Sequence, residues 1–140
     1  MVSAATVARE LAATHDPLFV DEVVSALIRE QSPLTQLQDA QQLLGLTSTD
    51  TATLFGIKRQ ALADWARKGV PVARLGQIDA LVSAALLLRR SLRPIAIPTA
   101  VRRPAPNLGG RSLLQYGAQE GMDALYDEVR DTLDVRRMTR

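Results

Sequence analysis

The sequence contains no cysteine, one histidine and few aromatic residues: one Trp, two Tyr and two Phe among 140 residues. The lack of cysteine excludes a disulfide framework and any thiolate chemistry, whether at a metal or as a nucleophile. His15 alone cannot build a metal site, and standing before Asp16-Pro17 it marks a helix end. No apolar run approaches the roughly 18 residues that a membrane span requires. The longest, Ala84 to Leu88, stops at Arg89-Arg90. The first residues lack the basic start and apolar core of a signal peptide. The expectation is a soluble, cytoplasmic protein without a membrane partner, a metal or a cofactor.

What is present favours helix. Ala and Leu dominate the apolar residues, and both rank high in helix propensity. The expected class is all-α. The net charge is only +2, but the charges are segregated. Up to Ile57 the acids outnumber Arg9 and Arg29. From Lys58 to Arg111, only Asp64 and Asp79 oppose Lys58, Arg59, Arg67, Lys68, Arg74, Arg89, Arg90, Arg93, Arg102, Arg103 and Arg111. Such a segment carries a local positive potential that attracts polyanions.

The stretch from Thr47 to Gly69 has the spacing of a helix-turn-helix. A first helix capped at Thr47 or Ser48, with Asp50 in its opening turn, places small Ala52 at the crossing of two helices. Gly56 supplies the positive φ of a sharp turn, and Ile57 follows as an apolar plug. In the second helix Ala61, Leu62 and Trp65 recur at spacings of three and four and face inward. Lys58, Arg59, Gln60, Ala63, Asp64 and Arg67 then face outward, with Lys68 beyond them. A basic N-terminal half is where a recognition helix meets bases and phosphates of duplex DNA. The competing reading is a surface hairpin whose cations are merely solvated.

Elsewhere the pattern is again helical. Residues 3 to 14 suggest a short helix, and Asp16-Pro17 opens another with the stripe Val20, Val23, Val24, Leu27 and Ile28. Ser32-Pro33 opens a third, carrying Leu34, Leu37, Leu43 and Leu44 and closing at Gly45; Pro is well tolerated at a first helical position. These helices are expected to support the hairpin. After Pro71, the residues Val72, Leu75, Ile78, Leu81, Val82, Ala85, Leu86 and Leu88 form a wide apolar surface. It suits either a central core helix or, in part, the face of a homodimer.

Residues 93 to 107 carry prolines at 94, 98, 104 and 106 and are expected to form an extended linker that packs along part of its length. Beyond it, Arg111 to Tyr116 and Met122 to Leu133 read as two short helices. The chain therefore divides into a helical domain at 1-92, a proline-rich linker at 93-106 and a C-terminal unit at 107-140.

The order of these elements, with Trp65-Ala66-Arg67-Lys68-Gly69-Val70-Pro71 ending the hairpin and Pro106-Asn107-Leu108-Gly109-Gly110-Arg111-Ser112-Leu113-Leu114 opening the C-terminal unit, resembles the Xre/MbcA/ParS family of bacterial antitoxins. The resemblance covers roughly residues 45 to 134. It is most specific at Leu108 to Ser112, although Leu113 stands where the family often has proline. It implies a partner that is a RES-domain toxin consuming NAD, neutralised by a C-terminal toxin-binding module, and an operator in the protein's own promoter.

On that reading the toxin contacts are Leu108, Leu113, Leu114 and the apolar row Met122, Leu125, Val129 and Leu133, set as a helix for a partner groove. Arg111, Arg136, Arg137 and Arg140 add charge toward a cleft that accepts a phosphate-bearing cofactor. The module is expected to be separable from DNA binding. The Leu-Gly-Gly-Arg-Ser element also admits a phosphate-loop reading, but it lacks the Gly-Lys-Ser/Thr ending and a preceding strand, which favours a structural turn. No pair of residues suggests catalysis. The alternative function is a stand-alone helix-turn-helix regulator with a C-terminal interaction unit.

Overall fold

A computed structural model describes Thr6 and residues 17–138, with the side chains of Thr6, Val20 and residues 22–134. Apart from Thr6, which is helical, the expected helix at 3 to 14 and His15 lie outside the described residues. Among the described residues all regular structure is helical: α1 (Pro17–Arg29), α2 (Pro33–Leu44), α3 (Ser48–Phe55), α4 (Arg59–Lys68), α5 (Leu75–Ser91), α6 (Ile97–Arg102), α7 (Leu113–Glu120) and α8 (Met122–Met138). Single 3-10 turns precede α5, α6 and α7. No single described helix is long and apolar enough to cross a membrane.

Local chemistry sets the helix boundaries. The Ser32 hydroxyl accepts a hydrogen bond from the Thr35 amide, and Pro33 opens α2. Gly45 closes α2 at φ 67°, in the left-handed region that suits glycine. The same position is crowded, because a Cβ on Gly45 would lie 2.8 Å from Cβ of Pro98 in α6. At α7, Ser112 and Gln115 form a reciprocal capping box, so Leu113 begins a regular helix.

The wide apolar surface after Pro71 is the core of the chain. α5 packs against α8, α2 and α1, and Ile78, Leu81, Val82, Ala85, Leu86 and Leu88 are all buried on it. These residues are consumed within one chain, which leaves them unavailable as a dimer face. Val72 and Leu75 depart from the expectation: at 83% and 38% exposure, in the 3-10 turn and at the first residue of α5, they stand outside the core.

Residues 93 to 107 are not an extended linker. Pro94 and Pro98 occupy first-turn positions of the 3-10 turn Pro94–Ala96 and of α6, where an absent N–H costs nothing. Ile97 and Val101 are buried at 0% and 2% exposure, and α6 packs on α2 and α7. The C-terminal helices are likewise integral. α8 lies along α5, and α7 bridges α8 and α3, crossing closely at Gly117, where a Cβ would lie 3.1 Å from Leu125 Cδ2 and 3.2 Å from Leu54 Cδ2. The expected separable module is thus one wall of a shared core.

Candidate nucleic-acid interface

The Thr47–Gly69 hairpin is held by specific contacts at each end. At the start of α3, the Asp50 amide donates to Thr47 Oγ1 at 3.0 Å and the Thr47 amide donates to Asp50 Oδ2 at 3.0 Å. Arg102 of α6 donates through one Nη2 to Asp50 Oδ2 at 2.7 Å and to the Gly45 carbonyl at 2.6 Å. The guanidinium, aided by the Thr47 amide, holds the Asp50 carboxyl down at about 2. Thr51, fully buried, donates its hydroxyl to Thr47 O and accepts from Gln41 Nε2, both at 2.9 Å. The hairpin is thereby tied to α2 on one side and α6 on the other.

At the other end Gly56 adopts φ 65°, its amide and that of Ile57 closing onto α3 carbonyls. Arg74 Nη1 donates to the Phe55 carbonyl at 3.1 Å, placing a cation at the negative end of the α3 dipole. Trp65 is buried at 5% exposure and meets Phe55 edge-on, with ring centroids 5.5 Å apart and planes at 84°. Ala61 and Leu62, expected inward, are only half-buried. The first half of α4 therefore stands partly clear of the core.

That half carries the free charge. Lys58, Arg59 and Gln60 are exposed, and α4 begins with no side-chain cap on its first-turn amides. Such amides beside cations favour anions. Ala63 and Lys68 are exposed as well. Asp64 and Arg67 form an ion pair with each other, so Arg67 offers a partner less charge than the sequence suggested. Arg74, Arg102 and Arg111, counted among the cations of the basic segment, are committed to internal hydrogen bonds. Exposed cations without a partner among the described residues thus stand at the start of α4, as Arg93 and Arg103 do elsewhere. A groove of about 460 Å³ separates that region from α2, with Arg59, Gln60 and Ala63 on one wall, Gln38 and Gln41 on the other, and Ser48 at its edge. Gln38 and Gln41 carry no sequence signal for this groove, because only the packing of α2 beside the hairpin brings them there.

The expected toxin-contacting residues fall differently. Met122, Leu125, Val129, Leu133 and Leu108 are buried at 2–6% exposure and face this chain's own core, which corrects their assignment to a partner groove. Leu113 and Leu114 are half-buried. Arg111 donates to Leu108 O at 2.8 Å and to Gln119 Oε1 at 2.8 Å, pairs with Glu120 at 3.2 Å, and lies over the Tyr116 ring at 5.1 Å. With Gly109 and Gly110 at φ 69° and 80°, the Leu108–Ser112 element is a structural turn whose arginine is turned inward. The backbone of Arg136 and Arg137 continues α8; their side chains, and Arg140 entirely, lie outside the described residues. Among the described residues no group of three or more His, Cys, Asp or Glu is placed to hold a metal. Comparison of the chain with protein-family models, curated proteins and solved structures returned no match.

Proposed function

We propose that this protein is a helix-turn-helix repressor that binds duplex DNA through α4 and that serves as the antitoxin of a RES-domain toxin. The observation that carries the DNA reading is the exposed, unpaired Lys58 and Arg59 at the uncapped start of a helix whose far side is pinned by Trp65. A hairpin so fixed presents one face to a groove without reorganising, and Lys58, Arg59 and Gln60 meet bases while Lys68 meets phosphate. A homodimer would present two α4 helices to paired half-sites.

The antitoxin reading rests on the resemblance at Leu108 to Ser112. Since the apolar row is internal, toxin contact on this reading falls to exposed groups of α7 and α8, among them Gln115, Asp123, Asp127 and Arg130. The burial of that row favours a second reading, a stand-alone regulator. Co-expression with a neighbouring RES-type toxin separates the two: the first predicts rescue of growth by the full chain, and absence of rescue moves the assignment to the second.

A further inference from the structure

Between the C-terminal end of α5, the α6–α7 connection and α8 lies a cavity of about 270 Å³. Its walls are aliphatic, supplied chiefly by Leu88, Leu92, Leu108, Val129 and Leu133, and no aromatic side chain lines it. This volume is just under the range of about 300–1,000 Å³ usual for ligand pockets, so it suits a short chain rather than a ring system or a helix face.

The polar groups that line it are not equivalent. Glu128 is fixed as part of the wall, its Oε1 accepting from Asn107 Nδ2 at 2.9 Å and from Thr132 Oγ1 at 3.3 Å. Arg103 also lines the cavity; it is exposed and makes no hydrogen bond or ion pair among the described residues. Its neighbour Arg102 is committed to Asp50 and Gly45. The cavity thus combines an apolar chamber with one uncommitted guanidinium, the group best shaped to grip a carboxylate in a bidentate manner. The Glu128 charge on the α8 wall repels an anion there and directs the head group toward Arg103.

We propose that this cavity binds a short-chain aliphatic carboxylate, its chain among the leucines and its head group on Arg103. The inference is independent of the DNA reading, and its test needs no DNA. Sodium octanoate, below its micelle concentration, is titrated into the full-length protein by calorimetry and by methyl NMR, with 1-octanol and octylamine as matched probes. The expected result is saturable octanoate binding that shifts the methyls of Leu88, Leu92, Val129 and Leu133 and exceeds that of either matched probe. Thr132→Trp, which fills the cavity from an exposed helix position, should abolish binding while the circular dichroism spectrum is retained. Arg103→Gln should weaken octanoate about tenfold and leave octanol unchanged, a readout that stands even if the tryptophan variant misfolds. Absence of saturable octanoate binding overturns the proposal, as does binding that is indifferent to Arg103→Gln or equal for the three probes.

Discussion

Replacement of Arg102 by Ala should loosen the hairpin from the rest of the chain, by an amount and with a pH dependence that the structure specifies. The guanidinium makes hydrogen bonds to Asp50 Oδ2 and to the Gly45 carbonyl. Depression of the Asp50 carboxyl from 3.8 to about 2 corresponds to at most about 2.5 kcal/mol. Only part of that belongs to Arg102, since the Thr47 amide contributes. The pair is also partly open to solvent, with 42% and 28% of the two side chains exposed, and screening reduces it further. Arg102→Ala should therefore cost about 1–2 kcal/mol at pH 7, including the lost bond to Gly45 O.

A carboxylate whose folded pKa is lowered contributes stability that is complete above its unfolded pKa and is lost as pH falls through the folded value. The contribution should consequently fall to about half its neutral value by about pH 3. Urea unfolding of wild type, Arg102→Ala, Asp50→Asn and the double variant between pH 7 and pH 3 measures it. The coupling should be about 1 kcal/mol at pH 7 and shrink on acidification. A coupling of zero, or one that does not change with pH, would refute the reasoning.

Trp65→Ala removes the buried anchor between α4 and Phe55 and should destabilise by about 3–5 kcal/mol in thermal or urea unfolding; an unchanged midpoint would place Trp65 outside the core. A chain ending at Ala105 loses Met122, Leu125, Val129 and Leu133 from the core, roughly 6–12 kcal/mol at about 1.5–3 kcal/mol per side chain, which is comparable with the whole stability of a domain. It should show no cooperative melt by circular dichroism, and a cooperative melt would restore the separable module. Gly45→Ala combines a positive φ with a clash against Pro98 and should cost more than about 1 kcal/mol, whereas Gly56→Ala, with open space around its Cβ, should show only the conformational part.

What is legible in the chain is its local chemistry, and what is not is its long-range chemistry. Caps and turns are legible because each is a contact within a few residues: Thr47 with Asp50, Ser32-Pro33 at the head of α2, and the left-handed glycines 45 and 56. Helical periodicity also identified the inward row of α8, but a row at that spacing says only that something apolar covers it. Whether α5 of the same chain or a partner does so is a property of the packed fold. The prolines misled for a related reason, since Pro94 and Pro98 break a helix only in its interior and here open one. Arg102 and Asp50, 52 residues apart, gave no local signal of their pairing. Of the candidate interface, the exposed Lys58, Arg59 and Gln60 are readable from helix phase, and the ion pair of Asp64 with Arg67 follows from their i,i+3 spacing.

The claim that α4 reads DNA is tested most directly by equilibrium binding of the full-length protein to the DNA upstream of its own coding sequence, measured by fluorescence anisotropy across a salt series. Wild type and Lys58→Ala/Arg59→Ala are compared after both are shown to unfold at the same midpoint. The account predicts specific, salt-dependent binding by wild type. In the variant, affinity should fall by about 1–3 kcal/mol for each base that the truncated side chains no longer reach, and the salt slope by about 1 for each phosphate that they no longer neutralise. Equal affinity and equal slope for the two proteins would contradict it.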